Sequence, residues 1–186
     1  MKSIFIFLAS LCLTTSLQAK EMHGFTFSDN VELQGQNLTL NGLGVRLATF
    51  FKVKVYVAGL YLAKPAKTEA EVVAQTQNKL IELRFLTSVD KSKLKDAWSE
   101  GFKKNLGADG YSKVSEAVST LNAYMSSMNK EQIMKFATVG DSVFVTVKGK
   151  DFPPIKNEYF AQNFLKVFIG PVPPNEELKK GLLGAN

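Results

Sequence analysis

Arginine is rare in this chain, and its two positions are the clearest candidates for specific side-chain chemistry. Among 23 basic residues only Arg46 and Arg84 are arginines, and both lie in segments that otherwise have the pattern of β-strands. A guanidinium keeps its charge at every relevant pH and presents a rigid fork of donors that matches a carboxylate. Because lysine supplies the other basic residues, arginine at these two positions indicates that the planar arrangement of guanidinium donors is required there.

Each arginine also has a purely structural interpretation. Arg46 would then satisfy carbonyls at the end of a strand, or pair with a carboxylate such as Glu82. Arg84 follows Glu82 by two residues in an alternating segment, which favours a surface or cross-strand ion pair over a ligand role. Arg46 is therefore the better candidate for contact with an anionic ligand.

Other reactive residue types are too few for the common catalytic and metal-binding arrangements. His23 is the only histidine and Cys12 the only cysteine. Zinc sites, Cys/His pairs and Ser/His/Asp triads are hard to assemble from so few groups. Gly42-Leu43-Gly44 lacks the strand-to-helix context of a phosphate-binding loop. The sequence therefore predicts neither a metal nor a cofactor.

The N-terminus has the pattern of a secretory signal. Lys2 precedes an apolar run from Ile4 to Leu13 that is too short to span a bilayer, and the small residue Ala19 stands at a suitable cleavage position. We expect residues 1–19 to be a signal peptide and residues 20–186 to form one domain. The mature protein would be periplasmic or secreted, with no integral membrane segment.

The charge of the chain is only mildly basic. The formal net charge is +6, and the lysines are spread over the whole length. Nucleic-acid binding would favour a clustered basic stripe with aromatic or arginine residues. A solvated surface is the better interpretation, so no nucleic-acid partner is expected. The sequence does not indicate an oligomeric state.

The first half of the chain, which contains Arg46, is predicted to consist mainly of strands. Alternation of apolar and polar residues predicts strands around residues 31–33, 38–40, 51–62 and 79–87. The last of these strands is expected to have both faces at least partly covered. Asn41-Gly42 is interpreted as a turn between two of them. Thr68 is a candidate N-cap for a short helix over residues 69–75.

The second half of the chain changes to helical spacing. Apolar residues three and four apart predict two amphipathic helices after Asp90, separated at residues 107–110. A hairpin follows, with strands 135–139 and 142–147, and then a helix carrying Phe160 to Phe168 and a last helix over residues 176–183. The order of elements predicts an α+β fold with helices on one face of a mainly antiparallel sheet.

Several segments in this order resemble the chalcone isomerase-like family. The resemblance is spread over most of the predicted mature chain. It is carried by Gly42 to Arg46, Phe51 to Leu62, Leu83 to Leu86, Ala97 to Phe102, Val139 to Val147, Phe168 to Pro171 and Leu182 to Gly184.

The resemblance implies an open-faced β-sandwich with a ligand cleft between the sheet and a layer of helices. The isomerases of the family use an arginine, a threonine, a tyrosine and an asparagine. Arg46 matches the arginine, but Tyr56 stands at the threonine position, Lys91 near the tyrosine position and Trp98 near the asparagine position. With three of four groups replaced, isomerase activity is disfavoured but stays open.

The fatty-acid-binding relatives imply a different use of the same cleft. There an arginine and a tyrosine hold the ligand carboxylate, and Arg46 with Tyr56 could form that pair. Candidate cleft walls are Phe85, Trp98, Phe102 and Tyr124. Each aromatic residue also has a packing interpretation, and at their helical spacing Trp98 and Phe102 are core residues first.

The sequence is compatible with three functions. The leading hypothesis is noncatalytic binding of a fatty acid or similar small amphipathic carboxylate. The alternatives are an intramolecular lyase of chalcone isomerase type, and a periplasmic protein-interaction module without a ligand.

Overall fold

A large antiparallel sheet with helices on one face forms the body of the protein. The computed structural model describes residues 19–48 and 51–185, so the predicted signal peptide lies outside the described residues except for Ala19. The strands are β1 Ala19–Met22, β2 Phe25–Ser28, β3 Asn30–Leu33, β4 Gln36–Ala48, β5 Val53–Leu62, β6 Lys79–Phe85, β7 Ile133–Val139, β8 Ser142–Val147, β9 Lys150–Asp151 and β10 Ile155–Lys156. The helices are α1 Glu69–Ala74, α2 Lys91–Ser112, α3 Ser115–Tyr124, α4 Glu158–Asn163, α5 Lys166–Ile169 and α6 Glu176–Leu182.

The sheet is continuous from β10 to β3. Its order is β10-β8-β7-β6-β5-β4-β3, with β9 paired to β8, and neighbouring strands are antiparallel. β1 and β2 form a separate two-stranded sheet. The predicted α+β class, with a mainly antiparallel sheet and a helical layer, is confirmed.

The central strand β6 shows how alternation produces two buried faces. Ile81, Leu83 and Phe85 join the main core with the helices, whereas Leu80 packs in a second cluster on the opposite face. The predicted burial of both faces is therefore confirmed. Period-two patterning places successive side chains on opposite sides of the strand, so one strand contributes to both cores.

The second face is covered by the N-terminal hairpin of β1 and β2, which the sequence did not predict. Phe27 on β2 is fully buried in the second cluster. Its ring fits over Gly59, where an added Cβ would lie 2.8 Å from the ring. A four-residue strand with alternating exposed positions gives a weak pattern, and its burial depends on a partner 32 residues away.

The predicted turn at Asn41-Gly42 is wrong, because both residues lie inside β4. The turn before β4 is formed instead by Gln34 and Gly35, which have positive φ values of 48° and 75°. Gly42 is a glycine because the carbonyl of Gly181 in α6 lies against its backbone, leaving no space for a Cβ. The Asn41 side chain donates to the carbonyl of Leu182 at 2.7 Å.

The helix predictions are mostly confirmed, with one change. Thr68 caps α1 by accepting a hydrogen bond from the backbone N–H of Glu71 at 3.2 Å. α2 is interrupted at Gly107, whose φ of 67° is outside the helical range, as the predicted separation required. The predicted helix from Phe160 to Phe168 is two short helices, α4 and α5.

We predict that Gly42→Ala destabilises the fold because the new methyl group would meet backbone atoms of α6. Overpacking of this kind costs about 1–3 kcal/mol and occasionally more. Chemical denaturation should report that loss in the free energy of unfolding. Asn37→Ala on the same strand, where the side chain is exposed, should change stability by no more than about 0.5 kcal/mol. Equal stabilities for the two variants would contradict the tight approach of α6 to β4.

Candidate ligand-binding cleft

Arg46 lies near the end of β4, directly opposite Tyr56 of β5. The two Cα atoms are partners in the antiparallel register, which places both side chains on the helix-facing side of the sheet. A register shift between Arg46 and Leu47 interrupts the ladder at this point. Such irregularities often re-aim side chains next to functional sites.

The Arg46 guanidinium is held by backbone carbonyls. Nη1 donates to the carbonyl of Leu47 and to that of Pro174 at 3.2 Å. Within residues 19–48 and 51–185 the guanidinium forms no ion pair with a carboxylate. The structural interpretation, in which Arg46 satisfies carbonyls, is thus partly correct, and the charge is still available to an anion.

Residues 171–174, named the strap here, connect α5 to the cap of α6 and pass beside Arg46. Asn175 fastens one end: its Oδ1 accepts from the backbone N–H of Leu47 at 3.0 Å and its Nδ2 donates to the carbonyl of Val45 at 3.1 Å. Asn105 of α2 fastens the other end through two hydrogen bonds of 2.9 Å with the backbone of Val172. Two asparagine side chains therefore set the position of the strap.

Tyr56 is a partly buried hydrogen-bond donor next to the positive charge of Arg46. Its ring meets Phe85 edge-on at 5.6 Å between centroids. Burial raises the pKa of the Tyr56 phenol far above its ordinary value of 10.0, and the nearby positive charge of Arg46 acts in the opposite direction. The phenol makes no hydrogen bond to another described residue. It therefore remains protonated and can donate to a ligand.

Arg46 and Tyr56 line a cleft of about 570 Å³ between the sheet and the helices. This volume is within the usual range for small-molecule sites. The sheet side includes Val53, Val55, Tyr56, Leu83, Phe85 and Met134; the helix side includes Leu94, Ala97, Trp98, Gly101, Val167 and Phe168; and Val172, Pro173 and Pro174 of the strap complete the wall. Apolar side chains predominate. Besides Arg46, the charged lining residues are Asp90, Lys93, Glu100 and Lys104, which come from one side, on or next to α2.

Four of the five residues predicted to contact a ligand line this cleft together: Arg46, Tyr56, Phe85 and Trp98. The fifth, Phe102, does not line it. Phe102 is fully buried, with its ring stacked behind Trp98 at 6.3 Å and tilted against Phe160 at 5.1 Å. The placement of Phe102 on the cleft wall is therefore corrected: at helical spacing, the residue one turn after Trp98 faces the core.

Tyr124 is likewise not part of the cleft wall. Its ring stacks on Phe152 at 4.5 Å, away from the lining residues. The lining residues missed by the sequence analysis come from the sheet, from the helices and from the strap. Nothing local in the sequence of the strap indicates a cleft, because its position follows from contacts with Asn105 and β4 that are distant along the chain.

Trp98 serves both the core and the cleft. It is 5% exposed, and its ring contacts Phe136, Phe164 and Phe168 with centroid distances from 4.9 to 5.6 Å. Its indole N–H points to the sulfur of Met125 at 3.2 Å. The ring edge at the cleft is therefore held by a cluster of aromatic neighbours, which makes this wall rigid.

Arg84 lies on the other face of the sheet and belongs to a different network. Its Nε donates to Glu82 Oε1 at 2.6 Å, and Lys135 Nζ lies 3.1 Å from Glu82 Oε2. An ion pair of Arg84 is present, but it joins Arg84 to a buried Glu82 on the same strand and is therefore not the surface or cross-strand pair that was predicted. The alternative pairing of Arg46 with Glu82 is wrong, because the two side chains are on opposite faces.

The described residues contain neither a candidate metal site nor a helix that could cross a membrane. Among residues 19–48 and 51–185, histidine, cysteine and acidic side chains do not gather in groups of three that could hold a metal ion. Over the same residues, every helix is too short or too polar to cross a membrane.

Comparison with known proteins identifies the family. A sequence model described as chalcone isomerase-like matches residues 19–184. The chain belongs to the chalcone isomerase-like family. This confirms the resemblance carried by Gly42 to Arg46 and the later segments.

The fold agrees with that of a solved structure. A crystal structure of a fatty-acid-binding protein from Arabidopsis thaliana superposes with a TM-score of 0.68 over 89% of this chain and 96% of that protein, at 14% sequence identity. Among curated proteins, none matches the sequence significantly. The predicted open-faced sandwich of the family, with a helical layer over its sheet, is thereby confirmed.

Two isomerase positions of the family remain occupied by other residue types in the folded chain. Lys91, at the position expected for tyrosine, starts α2 and is not among the residues that line the cleft. Trp98, at the position expected for asparagine, fills the wall with an apolar ring. The cleft therefore lacks a phenol from the start of α2.

We predict that Tyr56→Phe makes stability less sensitive to alkaline pH. Below the ordinary phenol pKa of 10.0, folded and unfolded states both keep the proton. Above it the unfolded state releases the proton while folded Tyr56 does not, so the wild type loses stability as pH rises. Urea unfolding between pH about 9 and about 11 should show a shallower decline for the variant. Parallel declines would contradict the desolvation of Tyr56.

Proposed function

We propose that this protein binds a fatty acid or similar small amphipathic carboxylate in the cleft after export, and that it does so without catalysis. The observation that carries the proposal is the pairing of Arg46 and Tyr56 in a cleft whose lining is mostly apolar, with its other charged residues on or next to α2. The arrangement has a charged end for a head group and an apolar space for a chain.

The head-group end suits an anion. A guanidinium and a protonated phenol both donate hydrogen bonds, and a carboxylate accepts them. Arg46 uses Nη1 for backbone carbonyls, which pre-orients the group and leaves other N–H donors for a ligand. Preorganised donors lose little entropy on binding.

The apolar end suits an acyl chain. Phe85, Met134 and Trp98 form part of its wall, and burial of each methylene from water contributes about 0.8 kcal/mol. The structural relative from Arabidopsis is a fatty-acid-binding protein. Its likeness supports the same use of the fold here, while the identity of the ligand rests on the cleft.

Export is part of the proposal. Its support is the pattern of residues 1–19 in the sequence. The family match begins at residue 19, where the predicted signal peptide ends.

An intramolecular lyase is the second candidate, because Arg46 occupies the position of the isomerase arginine. The replacement of the other three groups counts against it. A protein-interaction module with a filled cleft is less well supported, since Arg46 lines a space rather than being sealed by core side chains.

We predict that Arg46→Ala weakens binding of a long-chain fatty acid about tenfold to a hundredfold. Hydrogen bonds to charged groups contribute about 1.5–3 kcal/mol, and about 1.4 kcal/mol corresponds to tenfold in affinity. Trp98 is the only tryptophan and lines the cleft, so its fluorescence can report the titration. Native mass spectrometry of protein from the producing cells would identify a co-purified acid.

The two arginines give a matched control. Arg46→Lys keeps the charge but loses the fork of donors and should show an intermediate loss of affinity. Arg84→Lys makes the same change on the opposite face of the sheet and should leave affinity unchanged. If wild type neither carries an acid nor changes its fluorescence and melting temperature with added lipid, the binding proposal is wrong.

We predict that the protein does not accelerate closure of a chalcone to a flavanone. The change in absorbance of the chalcone, compared with buffer and with Arg46→Ala, measures this directly. Turnover well above the spontaneous rate that disappears in Arg46→Ala would establish the lyase instead.

A further inference from the structure

The exposed large apolar side chains of the described residues are concentrated at one place. Phe51 is 85% exposed, Val53 47% and Val172 46%, and over the described part of the chain these are the large hydrophobic residues with such exposure. Val53 and Val172 both line the cleft, one from β5 and one from the strap, and Phe51 stands two residues before Val53. We name these three residues the rim.

A concentration of this kind needs an explanation. Isolated exposed apolar residues are ordinary on protein surfaces, but a cluster marks an interaction site. Pro173 and Pro174 of the strap also line the cleft beside Val172. The rim is therefore the apolar border of the opening through which a ligand would enter.

Positive charge accompanies the rim. Lys52 and Lys54 flank Val53 at the same end of β5. Lys54 is on the opposite face of the strand from Val53, with its Nζ 3.4 Å from His23 Nδ1, and Lys93 and Lys104 of α2 line the cleft. Glu177 pairs with Lys52 at 3.6 Å and Glu100 with Lys104 at 2.7 Å. Among the described residues, Lys54 and Lys93 have no carboxylate partner in an ion pair, so the local balance is positive despite Asp90.

We propose that the rim docks on the surface of an anionic lipid bilayer, and that the acyl ligand passes directly between the bilayer and the cleft. This inference rests on the proposed function, because it assigns a source to the ligand of the same cleft. Apolar side chains insert at the boundary between head groups and acyl chains, as in interfacial helices. Lysines beside them are attracted to anionic head groups.

A bilayer fits the rim better than a protein partner does. The rim offers a few apolar tips, and the lysines beside it have stems that can lie along apolar surface while their charges reach the head groups. The opening between Val53 and Val172 then faces the lipid. A water-insoluble chain can thus reach Arg46 without crossing bulk water.

Vesicle co-sedimentation of the purified protein tests the docking. Vesicles of phosphatidylcholine with phosphatidylglycerol should bind the wild type, and vesicles of phosphatidylcholine alone should bind it more weakly. Phe51→Ser and Lys54→Glu should each lower the partition coefficient about tenfold. Neither residue lines the cleft, so the affinity for free fatty acid, read by Trp98 fluorescence, should be unchanged.

Lys64 supplies the control for charge. It is exposed and follows β5 at the end opposite to Val53, ten residues beyond Lys54. Lys64→Glu makes the same charge change as Lys54→Glu and should leave vesicle binding close to that of the wild type. Equal losses for both lysine variants would mean that net charge, and not the rim, governs binding, which would overturn the inference.

The outcomes separate the two proposals. A protein that binds free fatty acid but no vesicle retains its proposed function and refutes membrane docking. A protein that binds vesicles through Phe51 and Lys54 but takes up no fatty acid keeps the docking surface and refutes the ligand. If purified protein binds no vesicle and a protein partner protects Phe51 and Lys54 from solvent in hydrogen exchange, the rim serves protein recognition instead.

Discussion

The close approach of α6 to β4 is the contact on which the functional end of the molecule depends. Gly42 and Gly44 face the backbone of α6 at Gly181 and Leu178 with no side chain between them. Asn175, the cap of α6, then reaches the backbone of β4 on both sides of Arg46. Because the strap leads into this cap, the polar end of the cleft is positioned by a helix that contributes no lining residue.

The two arginines lie on opposite faces of the sheet and have different roles. The inner face packs against the helices, and the outer face is the one that the N-terminal hairpin covers. On the outer face, Arg84 neutralises the buried Glu82 and lies over the ring of Phe27 at 4.5 Å. On the inner face, Arg46 has carbonyl partners, which orient a guanidinium without cancelling its charge. Both residues are arginines, and their neighbours determine whether the charge is neutralised within the fold or is available for a ligand.

Local patterns in the sequence predicted the fold class and the neighbourhood of Arg46. Alternation along residues 79–85 was sufficient to predict two buried faces, and Thr68 was recognised as a cap from adjacent residues. The predicted Asn41-Gly42 turn was wrong because Gly42 is required by the close approach of Gly181, about 140 residues away, and not by a turn. Phe102 was misplaced because periodicity identifies an apolar face of a helix but not which residue on that face reaches the cleft.

The donors at the polar end also bear on which lipids the cleft would accept. The pairing of a permanently charged guanidinium with a phenol that donates a hydrogen bond favours a ligand that carries a negative charge. An ester of the same acyl chain has a neutral carbonyl there and would leave the guanidinium without a counter-charge. Next to a membrane made almost entirely of esterified chains, such a cleft would select the few that hydrolysis has released. The protein would then report on, or remove, the products of lipid breakdown rather than the lipids themselves.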